Sequence, residues 1–205
     1  MVALLLVPVG FAVGLLLTPL AAPFVEDVSR RHRMATALLT AVTFSLLGWR
    51  VGPEPVLPAL LYLAAAATLL GFIDIKTKRL PDRFTLPSYA AVALLAAAAP
   101  FSDNGPERLL HALIGMVALF ALFFLQAFFV PSGIGMGDVK LSGVLGLYLG
   151  WFGRDTWILG LLTTYLLGAL AGITIMIVRR TRKGEFPFGP AMLAGTLIAV
   201  LASTS

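Results

Sequence analysis

The chain has 205 residues, 59% of them apolar and 12% charged, with a mean hydropathy of +0.96; a soluble domain carries about 25% charged residues, so a water-soluble globular protein is excluded. The net charge of +5 and the sequence pI near 10.0 would suit a nucleic-acid partner, but the basic residues fall in the breaks between apolar stretches, where membrane orientation explains them and no nucleic acid is implied. With no cysteine and only two histidines, His32 and His111, disulfides, thiolate zinc sites, cysteine nucleophiles and histidine-rich metal centres are excluded as well.

About 20 apolar residues are needed to cross the hydrocarbon core as a helix. Stretches free of Asp, Glu, Lys and Arg run over residues 1–25, 34–49, 55–73, 84–102, 109–137, 141–153, 156–178 and 186–205. They predict an all-α, polytopic integral membrane protein of about eight transmembrane helices, forming one membrane domain over residues 1–205. The first stretch lacks a basic leader and is too long for a typical signal core, so it reads as a retained helix. The stretch 141–153 would cover only about 20 Å. Charge placement favours keeping it as a crossing. With eight crossings and both termini outside, the inner loops hold Arg30, Arg31, Arg33, Lys76, Lys78, Arg79, Arg83, Lys140, Arg179, Arg180, Arg182 and Lys183, against Arg50, Arg108 and Arg154 outside, as cytoplasmic loops require.

Two acidic residues stand at inner helix ends. Asp74 closes the third stretch in Gly71-Phe72-Ile73-Asp74-Ile75-Lys76, which continues to Leu80-Pro81-Asp82; Asp138 follows the fifth in Ser132-Gly133-Ile134-Gly135-Met136-Gly137-Asp138-Val139-Lys140. Each of the three glycines costs about 1 kcal/mol in a helix interior, so the run predicts irregular backbone, and its small residues would also let another chain approach closely. Asp138 equally fits a juxtamembrane charge neutralised by Lys140. Two carboxylates brought together can hydrolyse an amide without a metal. Like charges a few ångströms apart share one proton; the ionised partner takes a proton from the attacking water, and the protonated partner donates to the developing oxyanion. Neither a metal nor a cofactor is implied. Asp82 reads as a turn or cap residue ahead of the next helix, and its replacement by Asn is expected to leave activity intact. Lys140 diverges from Asp138 on a helix and reads as non-catalytic. His32 reads as a surface residue of a basic loop, His111 as lying near the outer end of the fifth helix, far from both aspartates, and Trp49, Trp151 and Trp157 as an interfacial belt.

These residues together resemble the type IV prepilin peptidases of the GxGD class of membrane aspartic proteases. Gly135-Met136-Gly137-Asp138, extended by Val139-Lys140-Leu141, is similar to that class's second catalytic motif. Asp74 with the following basic run and Leu80-Pro81-Asp82 is similar to the first, and Phe186-Pro187-Phe188-Gly189-Pro190 is similar to a late family segment. Other GxGD branches carry Tyr-Asp and Pro-Ala-Leu where this chain has Ile73-Asp74 and Pro187-Phe188-Gly189-Pro190, which favours the prepilin branch.

The resemblance implies an aspartic endopeptidase of the inner (cytoplasmic) membrane with Asp74 and Asp138 as its catalytic pair. Gly135 and Gly137 would shape the loop and admit substrate backbone. Pro187, Phe188, Gly189 and Pro190 would form a loop near the site or simply start a helix. The implied partners are the lipid bilayer and pilin-like precursors whose basic leader, lying near Asp82 and Glu185, precedes an apolar helix. Many bacterial members insert a cysteine-rich domain between the first two helices and also methylate the product. Here that region is only residues 26–33, so a peptidase without methyltransferase activity is expected. Two other readings stay open: cleavage of other transmembrane segments or signal peptides, and a proton-coupled transporter.

Overall fold

The computed structural model describes residues 1–26, 28–130, 134–179 and 187–203. Among them there are helices and turns and no strand, and six helical segments are long and apolar enough to cross a bilayer. The protein is a polytopic, all-α membrane protein. Its helices are α1 (Val2–Leu17), α2 (Arg30–Val51), α3 (Leu57–Thr77), α4 (Asp82–Thr85), α5 (Ala91–Ala98), α6 (Gly105–Phe129), α7 (Met136–Trp151), α8 (Arg154–Arg179) and α9 (Gly189–Ala202). Among the described residues, each of the eight apolar stretches contains helical structure. The stretch 84–102 is interrupted, however: 3-10 turns at Pro87–Ala90 and Ala99–Phe101 flank α5, because the prolines at 87 and 100 lack the N–H an α-helix needs.

Packing groups the chain into two compact units, Met1–Thr77 with Arg83–Pro106, and Lys78–Asp82 with Glu107–Ser205. In the first unit Ser29 starts α2. Its hydroxyl accepts from the His32 backbone N–H at 3.4 Å, and its own N–H donates to His32 Nδ1 at 3.3 Å. The His32 ring also lies 5.4 Å from Phe72 on α3. His32 is therefore a capping and packing residue rather than a loop residue; the usual capping pattern has Glu or Gln at that position, and an imidazole serves here instead.

Threonines tie the same helices together. Thr18 and Thr36 share a hydroxyl hydrogen bond, and Thr40 donates to Thr68 at 3.1 Å. Between helices in lipid, where apolar burial gives little net drive, such bonds and close packing hold the contact. Toward the end of α3, Leu69 and Ile73 pack with Ala21 and Val25, ringed by Phe24, Val28, Phe72 and Phe84. That cluster fixes the last turns of α3 immediately before Asp74.

In the second unit α7 is enclosed. Every residue from Leu141 to Trp151 is buried, the signature of a helix with protein on all sides. A helix surrounded in this way has no lipid-facing length to match, which accounts for the short apolar stretch. Backbone contact with α6 is made at Gly115 and Gly146, where a Cβ on Gly146 would stand 2.3 Å from the Gly115 carbonyl oxygen. At the same crossing, Trp157 Nε1 donates to the Gly115 carbonyl at 3.2 Å, and elsewhere Thr163 Oγ1 of α8 donates to the Gly195 carbonyl of α9 at 3.0 Å. The interfacial-belt expectation fails for Trp151, which is 1% exposed inside the protein; it holds the enclosed end of α7 through packing.

Candidate active site

Asp74 lies in the last turn of α3 and is 3% exposed. A carboxylate withdrawn this far from water needs polar partners, and neither Asp74 nor Asp138 is without one. Three residues later the helix ends at Thr77, and Lys78 takes a left-handed backbone with φ 54°. This conformation is uncommon for a residue with a side chain. The turn it makes leads directly into the connector Lys78–Asp82, which packs with the second unit.

Asp138 occupies the third helical position of α7, behind Gly135 as N-cap. The helix dipole favours negative charge in this first turn. Its backbone N–H donates to the Gly135 carbonyl at 3.0 Å, and its side chain is half-buried. A Cβ on Gly135 would meet Asp138 Oδ2 at 3.4 Å, an ordinary contact.

The glycine run differs from the sequence expectation. Gly137 is helical, and Gly135 has φ −73° and ψ 147°, values open to any residue; Ser132 and Gly133 lie outside the described residues. Irregular backbone is thus not the reason for glycine at 137. The structure contains instead a close approach within the chain: a Cβ on Gly137 would stand 2.9 Å from Leu80 Cβ and 3.3 Å from the Leu80 carbonyl oxygen. Leu80 itself is 8% exposed. Substitution of Gly137 by Val is expected to lift Leu80 off α7 and to lower activity at least about fivefold, the rate equivalent of the lower end of the roughly 1–3 kcal/mol that overpacking costs; measured turnover close to that of the parent would contradict the contact's importance.

Asp82 begins α4, as expected for a helix-start residue, but its carboxylate has a second role that sequence reasoning missed. Both of its oxygens accept from Lys140 Nζ at 2.7 Å. The two residues are 58 apart in sequence, and the only prior signal was that each belongs to a motif.

The late segment behaves as a helix start. Phe186 and Glu185 lie outside the described residues; Phe188 is the N-cap of α9, Gly189 is its first residue and Pro190 its second, a position where proline's missing N–H costs nothing. The Phe188 ring packs 6.3 Å from Phe123 and 6.4 Å from Tyr165, over Gly168, where a Cβ would come within 2.3 Å of the ring. Truncating Phe188 to Ala is expected to cost about 1–2 kcal/mol of stability through lost packing, less than for a fully enclosed ring. Thermal unfolding in detergent would read this.

The model of the type IV leader peptidase family matches residues 61–178. The prepilin leader peptidase/N-methyltransferase of Neisseria gonorrhoeae is 35% identical over 175 residues, covering 82% of this chain and 57% of the relative. That of Aeromonas hydrophila is 31% identical over 176 residues, covering 85% and 59%, and that of Pseudomonas aeruginosa is 29% identical over 166 residues, covering 80% and 56%. The chain therefore spans less than two thirds of the length of these curated relatives. No solved structure matches it significantly.

Proposed function

The chain belongs to the type IV leader peptidase family, and from that premise we propose that it is an aspartic endopeptidase that removes the basic leader from pilin-like precursors at the cytoplasmic face of the inner membrane. Asp74 and Asp138 are its catalytic pair. The observation that carries this reading is the seating of the connector: the residues that follow Asp74 along the chain, Leu80 and Asp82, pack on the first turns of α7, where Asp138 is borne. The relatives' names supply the substrate class.

In the reaction, the ionised member of the pair accepts a proton from a water as its oxygen attacks the scissile carbonyl, and the protonated member donates to the carbonyl oxygen as charge develops there. The proton taken from water then passes to the leaving amine as the C–N bond breaks. The precursor's apolar helix partitions into the bilayer beside the protease, which confines the search to two dimensions and holds the cut site at helix-end depth. Of the two acids expected near the basic leader, Asp82 is already engaged by Lys140. Product methylation is not part of this proposal, since the connection between α1 and α2 holds no cysteine.

The test is incubation of membranes containing the full chain with pilin-like precursors, followed by N-terminal analysis of the products. Cuts at the cytoplasmic edge of the apolar stretch are expected. Cuts inside that stretch would replace the reading with intramembrane cleavage of other segments, and a methylated product made by the purified chain with S-adenosylmethionine would overturn the restriction to peptidase activity.

A further inference from the structure

The connector Lys78–Asp82 meets α7 at two points. Leu80 covers Gly137, as described above, and two residues further on Asp82 receives Lys140 Nζ at 2.7 Å to Oδ1 and 2.7 Å to Oδ2. Gly137 and Lys140 are three residues apart on a helix and therefore share a face. The connector thus lies along one side of the first turns of α7, with Asp138 between its two attachments in sequence.

The side chains of Lys140 and Asp82 are 29% and 56% exposed, and an ion pair so open to water adds little to stability. Its consequence is geometric. One apolar contact at Leu80 would let the connector pivot; an ammonium held equally by both oxygens of one carboxylate, at a second point, removes that freedom. We propose that Asp82 and Lys140 are positioning residues: their ion pair pins the chain that continues from α3 onto the turn of α7 that carries Asp138. This rests on the peptidase reading for its catalytic consequence, while the pinning itself can be measured without it. It also reverses the expectation from sequence that neutralising Asp82 is silent.

The experiment uses the full chain in lipid with the pilin-like precursor as substrate. Asp82→Asn and Lys140→Met should each lower kcat about fivefold, the rate equivalent of losing about 1 kcal/mol, with KM little changed. The double variant should be no worse than the more impaired single one. Lys140→Arg, which keeps the charge, should recover most of the rate. Because the chain has no cysteine, a single spin label at Lys78→Cys reports the connector alone: its mobility should rise with Lys140→Met and not with Lys140→Arg. Losses that multiply in the double variant, failure of the Arg variant to recover, or a label equally immobile in Lys140→Met would each overturn the proposal. A parent chain that cleaves no precursor would remove the peptidase reading and the catalytic role with it, and the label would still decide whether the connector is pinned.

Discussion

Replacing Asp138 or Asp74 by Asn is expected to lower precursor cleavage about 10³-fold, the middle of the range that a positioned acid or base contributes. Asn keeps the size of Asp and its hydrogen-bonding ability but cannot carry a proton between water and leaving group. For Asp74, 3% exposed beside the fully buried Ile73, preserving shape matters, because a smaller residue would leave a void at a buried position and confuse loss of chemistry with loss of fold. The variants should therefore insert and unfold thermally like the parent. If the two carboxylates act as one unit, the double variant should be no slower than either single one. Activity within about tenfold of the parent in either variant would remove that residue from the catalytic pair.

The largest effect on stability is expected at the crossing of α6 and α7. A Cβ at residue 146 would stand 2.3 Å from the Gly115 carbonyl oxygen, 3.0 Å from its carbonyl carbon and 2.8 Å from Leu119 Cβ. Two of these are backbone atoms, so no side-chain rotation relieves the clash and the helices must separate. Since α7 is buried on every side from Leu141 onward, a shift there has no free surface to move into. Gly146→Val should then cost about 3 kcal/mol or more, at the upper end of measured overpacking. Ala118→Val, on an exposed position of α6, should change stability by no more than about 0.5 kcal/mol. Thermal unfolding of the two variants side by side checks the contrast; equal midpoints would show that the α6–α7 crossing is not as tight as the Gly115–Gly146 contact makes it.

What could be read from the sequence follows from which physical signals are local. The helical stretches were legible because burial in lipid demands long apolar runs, and the interruption near Pro87 could have been anticipated from proline's missing donor. The two aspartates were singled out by the motifs around them. The reason for Gly137 was only half legible: a glycine signals either unusual backbone or close approach, and the choice depends on Leu80, which lies far away in sequence. Likewise nothing local announces that Asp82 meets Lys140, since an ion pair between distant residues leaves no periodicity. Trp151 was misassigned because its neighbourhood resembles a membrane boundary in composition, whereas its burial is decided by the helices packed around α7. The capping role of His32 was missed because imidazole is an unusual partner in a capping box.

The seating of the connector has a consequence for biosynthesis. Leu80 and Asp82 leave the ribosome well before Gly137 and Lys140, and at about 5–20 residues per second the delay is on the order of 3–12 seconds. Until that time the nascent chain holds Asp74 with nothing to dock its downstream neighbours, so the connector finds its seat only after the first turns of α7 have been made.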